Sequence, residues 1–88
     1  MNCSEIQYLE ASANYTIFHF NDGRKQMQSY TLKHFEKILQ THKAFSRIHR
    51  RYLVNRRHVI SYTEFEVLLQ NGKRLPVSRR RSFEPNTE

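Results

Sequence analysis

Arginine is the residue whose type and spacing could do chemistry in this chain. Its 88 residues hold 15 lysines and arginines against 8 aspartates and glutamates, a formal charge of +7. Ten of those cations lie within residues 47–81, where only Glu64 and Glu66 oppose them. The rest of the chain holds five cations against six anions. Nine of the ten clustered cations are arginines. A guanidinium presents a flat fork of donors that matches phosphate oxygens and the guanine edge. A basic excess confined to one half of a chain therefore reads first as a nucleic-acid footprint. A membrane surface competes for the same charge, but these cations do not lie along an amphipathic helix.

A run of charges is often only a solvated face. That bland reading weakens because Arg50-Arg51 and Arg79-Arg80-Arg81 each follow a segment of strand character. Loops at strand ends are where a rigid sheet displays binding groups. A third polar loop ends in Asn14, also beside a strand, and asparagine can pair bidentately with adenine.

Other chemistries are poorly supplied. The five histidines, His19, His34, His42, His49 and His58, lie far in sequence from Cys3 and form no ligand-spaced pair within one helix. No Cys-x-x-Cys or His-Glu-x-x-His occurs, so neither a metal site nor a cofactor is expected. Gly23 and Gly72 alone cannot build a phosphate loop, and no paired carboxylates flank the arginines. Ser78 beside Arg79 has no base assigned to it, so its hydroxyl reads as a hydrogen-bond partner rather than a nucleophile. An enzyme is not expected. The single cysteine excludes an internal disulfide and suits a reducing cytoplasm. No run of about 18 apolar residues and no secretory leader pattern is present, so neither a membrane span nor export is expected.

The elements that must position these residues are short. The length implies one small domain over residues 1–88. Ile6 to Leu9 reads as a strand and Ala11 to Asn14 as a loop. Tyr15 to Phe20 is rich in aromatic and β-branched residues, as a strand should be. Asn21-Asp22-Gly23 is a turn, and Arg24 to Ser29 can pair back across it. Thr31 is placed to cap a helix of about ten residues ending near His42, with Leu32, Phe35, Ile38 and Leu39 at helical spacing.

Phe45 to Asn55 mixes apolar residues with Arg47, His49, Arg50 and Arg51. Alternation puts Phe45 and Ile48 on opposite faces, so this strand is covered on both sides or bends near Ile48. Phe65, Val67 and Leu69 alternate, Asn71-Gly72 marks a hairpin, and Leu75 and Val77 form its returning arm. Pro76 lacks an N–H, which suits an edge strand. Glu84 to Glu88 read as a frayed end. Most aromatics alternate toward a core, which favours duplex DNA over single-stranded RNA as the anion, since RNA would need them as stacking platforms. An interaction domain for an acidic partner is the remaining alternative. No heptad and no exposed apolar stripe offers a dimer seam, so the isolated chain is expected to be a monomer.

The segment Phe45-Ser46-Arg47-Ile48-His49-Arg50-Arg51-Tyr52-Leu53-Val54-Asn55 resembles the central signature of LytTR-type DNA-binding domains, the output domains of LytR/AlgR-type bacterial response regulators. Ile6 to Ala11 with Asn14-Tyr15 is similar to the family's opening strand and loop, and Leu75 to Arg80 to its closing motif. The resemblance spans about residues 5–83. It implies a mainly β fold, an elongated stack of small antiparallel β-sheets with one short helix. It implies loops on one side that enter two successive major grooves of double-stranded DNA. By position, Asn14, Arg50 and Arg79 would read bases. Tyr15, Arg51, Ser78 and Arg80 would touch phosphate or support the loops, and His49 is a further candidate. Asn55 would be structural. The resemblance also implies DNA sites arranged as direct repeats, and a receiver domain or sensor kinase as a partner outside this chain.

Overall fold

The computed structural model describes residues 3–40 and 44–83. Eight strands and one α-helix follow in order: β1 (Ile6–Ser12), β2 (Tyr15–Phe20), β3 (Lys25–Gln28), α1 (Leu32–Leu39), β4 (Phe45–His49), β5 (Tyr52–Asn55), β6 (Val59–Tyr62), β7 (Glu66–Leu69) and β8 (Arg74–Pro76). They form a five-stranded antiparallel sheet of order β3-β2-β1-β5-β4 and a three-stranded antiparallel sheet of order β6-β7-β8.

The five-stranded sheet is the middle layer. Leu9, Phe18, Phe45 and Leu53 pack from one face against Leu32 and Leu39 of α1. Tyr8, Ile48 and Val54 pack from the other face against Val67, Leu69, Leu75 and Val77 of the second sheet and its extension. Phe45 and Ile48 thus serve opposite cores, as alternation requires. The β4–β5 register also slips between Arg47 and His49, leaving Ile48 as an extra residue on its strand. Both expectations for this segment hold together: it is covered on both sides and it bends at Ile48. The principal extents are 31 × 28 × 24 Å. Elongation is slight because the stack consists of two sheets and not a longer series.

Several expectations change. Ala11 and Ser12 are strand, not loop, because they pair with Thr16 and Tyr15. The helix is eight residues long, its N–H at His34 capped by the Thr31 hydroxyl at 3.3 Å. Its expected end near His42 and the frayed residues 84–88 fall outside the described residues. Ile38 is 52% exposed, because about 100° per residue turns it well away from the stripe formed by Leu32, Phe35 and Leu39. Phe65 lies just before β7 and is 71% exposed, so the alternation that buries Val67 and Leu69 does not reach it. With Ile60 and Tyr62 also exposed, the second sheet does carry an uncovered apolar surface. Its three strands have only one face against the core, so residues of the other face stay in solvent.

Asn55 is structural, as expected. It is buried, donates from Nδ2 to the Ile6 carbonyl at 2.8 Å, and accepts the Arg57 N–H at 3.0 Å. These bonds hold the exit of β5 beside the entry of β1. β8, which carries Pro76, is an edge strand of its sheet.

Candidate nucleic-acid interface

Three turns gather the candidate residues at one end of the middle sheet. Ala13-Asn14 joins β1 to β2 through the Ser12–Tyr15 pair. Arg50-Arg51 joins β4 to β5 through the His49–Tyr52 pair. The Ala11 N–H donates to the Arg51 carbonyl at 2.8 Å, so the second turn starts level with Ala11, two residues short of the first. The third turn follows β8. Val77 N–H donates to the Phe65 carbonyl, Ser78 N–H to the Ile48 carbonyl, and Arg81 N–H closes onto the Ser78 carbonyl at 3.1 Å. Ser78 to Arg81 therefore stand beside the end of β4.

His49, Arg50, Ser78, Arg79, Arg80 and Arg81 line one open cleft. Asn14 and Tyr15 do not line it, though they are exposed at the same end of the sheet. The strand order places their turn about two strand spacings, or roughly 10 Å, from the Arg50 turn. Among the described residues, the Arg50, Arg79 and Arg80 guanidiniums have no carboxylate partner, and all three residues are exposed.

The local chemistry of each turn differs. Ala13 has φ +53°, in the left-handed region that costs an L-residue with a Cβ about 1–2 kcal/mol. The sequence offers no glycine there, so pairing on both sides must impose the conformation that displays Asn14. The Arg50-Arg51 turn has no positive φ. It therefore lacks the primed geometry that matches strand twist in two-residue hairpins. Side chains brace it beside the strand pairing. His49 Nδ1 accepts the Arg51 N–H at 3.1 Å. Arg47 donates from Nε to the His49 carbonyl at 2.8 Å and from Nη2 to the Arg50 carbonyl at 2.5 Å.

Arg51 lies 3.8 Å from Glu10, which also meets His19 Nε2 at 2.8 Å. The His19 ring stacks on Tyr8 with centroids 4.1 Å apart. Burial, with help from Glu10, pushes the Tyr8 hydroxyl up to about 12. Glu10 and Arg47 were not candidates on sequence grounds. Glu10 is an ordinary strand glutamate until pairing sets Tyr52 beside it. Arg47 looks like one more displayed cation, yet its side chain is only 12% exposed.

The histidines give a pH prediction. Burial lowers His49, and Arg50, Arg51, Arg47 and Arg81 lower it further. Burial also lowers His19, more than Glu10 raises it. The unfolded chain then takes up protons near the ordinary value of 6.5 while the native fold does not. Stability should be fully present above 6.5, fall as pH drops through it, and stop falling below the native values. Urea midpoints measured between pH 8 and 5 check this, and a midpoint that rises toward pH 5 would contradict it.

A basic cleft and a polar turn at one end of a layered β fold form a surface whose charge suits a polyanion. The chain belongs to the LytTr DNA-binding domain family, whose model matches residues 1–84. It is similar in structure to the LytTr DNA-binding domain of a Bacillus cereus protein described as a methyl-accepting/DNA response regulator. That likeness has a TM-score of 0.78 at 29% identity and covers 89% of this chain and 74% of the other. A search of curated proteins gave no match. The mainly β architecture and the DNA-binding role follow from this membership. No helix among the described residues is long and apolar enough to cross a membrane.

Proposed function

We propose that this DNA-binding domain reads a specific double-stranded site through its three turns, as a non-catalytic cytoplasmic module of a transcription regulator. Arg50 and Arg79 contact base edges from the shared cleft, and Asn14 contacts a base from the neighbouring turn. Tyr15, Arg51, Ser78 and Arg80 hold phosphates or support those turns, and the neutral His49 ring offers Nε2–H toward the cleft. Tandem copies of the domain occupy direct repeats, and a receiver domain or sensor kinase elsewhere supplies the signal.

The observation that carries this reading is the gathering of Arg50 and Arg79 in one cleft with no carboxylate partner among the described residues. A free guanidinium can commit both arms of its fork to one guanine. No Tyr or Phe lines that cleft. Tyr15, Tyr30, Tyr62 and Phe65 are exposed elsewhere, so more aromatics escape the core than alternation suggested. Of the rings, only His49 lines the cleft, so unpaired bases would find little aromatic surface beside the arginines, which favours duplex over single-stranded RNA.

Displacing counterions from about six phosphates should give a slope of log K against log salt of about −5. Fluorescence anisotropy of a labelled duplex across a salt series measures it. A slope near zero, or tighter binding to single-stranded RNA at every salt, would overturn duplex recognition.

A further inference from the structure

The hydrogen bonding of Arg47 separates it from every other arginine near the cleft. Its guanidinium spends all three nitrogens inside the protein. Nε and Nη2 take the carbonyls of His49 and Arg50, and Nη1 meets Glu36 Oε1 of α1 at 2.6 Å. The two carbonyls belong to the hairpin that presents Arg50, and that hairpin lacks the primed turn geometry that best matches strand twist. The third partner lies on a helix packed against the sheet. A guanidinium is a rigid planar fork, so fixing its position fixes the groups bonded to it.

We infer that Arg47 and Glu36 form a clamp that sets the aim of Arg50, making both positioning residues for DNA sequence recognition. This rests on the reading of Arg50 as a base-contacting residue. Arg47 itself lies mostly buried, with each of its three guanidinium nitrogens already bonded within the protein, so it is poorly placed to reach a phosphate or a base. Its desolvation is only partly offset by the Glu36 carboxylate, while Arg81 on the neighbouring turn opposes its charge. Removing Glu36 would leave the Arg47 charge compensated only by carbonyls, and the hairpin would lose its tie to α1. Removing the fork would release the Arg50 carbonyl directly. In either case Arg50 keeps its charge but samples more directions, so affinity for any duplex survives better than discrimination between bases.

The test uses the full chain and four variants: Arg47→Lys, Glu36→Ala, Arg50→Ala and the double variant Arg47→Lys with Arg50→Ala. Binding is profiled over every single-base change in a duplex site selected from a random pool, with the salt slope and thermal midpoint measured alongside. Arg47→Lys should weaken the selected site by about 5- to 150-fold, the range one bidentate base contact supplies. It should flatten the profile at the same base pairs as Arg50→Ala and leave the salt slope unchanged. Glu36→Ala, at a residue on the partly exposed side of the helix, should change the same positions in a folded protein. The double variant should be little worse than Arg50→Ala alone, because the clamp acts through Arg50.

A merely structural role predicts the opposite. All sequences would weaken alike, in step with lost folded fraction, and the two losses would multiply in the double variant. That result, or an unchanged profile in Glu36→Ala and Arg47→Lys while Arg50→Ala flattens it, overturns the clamp alone. An unchanged profile in Arg50→Ala overturns the base-contact reading of Arg50, and the clamp's role with it.

Discussion

Replacing Ile48 with alanine should destabilise the fold by about 2–5 kcal/mol, the usual cost of emptying a fully buried branched site. Ile48 has no exposed surface and packs with Val67, Leu75 and Val77. It is also the extra residue of the β4 bulge, and its carbonyl accepts the Ser78 N–H at 2.8 Å. The side chain thus binds the second sheet to the first, while the backbone ties down the turn carrying Arg79. A small domain has about 5–15 kcal/mol of total stability, so the loss takes a large share. Urea unfolding should show a lower midpoint at unchanged slope. Ile60→Ala is the comparison: at 59% exposure it should shift stability by no more than about 0.5 kcal/mol. Equal losses at the two positions would mean that Ile48 is not the joint between the layers.

The second large effect concerns reading rather than folding. Arg50→Ala and Arg79→Ala should each weaken the selected site by about 1–3 kcal/mol and relax preference at only a few base pairs. Arg51→Ala should weaken all sequences alike and flatten the salt slope by about one unit, as loss of one phosphate contact does. Arg51 differs from Arg50 by one residue, but its 3.8 Å approach to Glu10 draws it back along β1. Arg50 has no such tether among the described residues. The measurement is the single-base binding profile at fixed salt for each variant. If Arg50→Ala and Arg79→Ala leave its shape unchanged, both are surface charges and base reading lies elsewhere.

Much of this protein was determined by local sequence alone. Thr31 before an apolar stripe sets the start of α1, because a hydroxyl can take the free N–H of the first turn. Gly23 and Gly72 sit at φ +93° and +89°, conformations that turns there require and a Cβ disfavours. The period of apolar residues assigned most strands, and the clustering of arginine after residue 47 marked the basic surface. These signals are short-range, so a linear reading reaches them.

What the tertiary structure decided depends on contacts between distant segments. Arg50-Arg51 contains no turn-forming residue, so sequence marked it only as a loop after a strand, and the pairing of β4 with β5, braced by Arg47 and His49, made that loop a two-residue hairpin. Ala11 and Ser12 became strand only through partners in β2. The same holds for the arginines. Arg47 and Arg50 are three residues apart and chemically identical, and no local signal tells a buried clamp from an exposed reader. Glu36 and the carbonyls around the turn satisfy one, and nothing among the described residues satisfies the other. Which cation is displayed is thus set by where opposite charge and unpaired carbonyls arrive on folding, a property of the assembled layers and not of any single stretch.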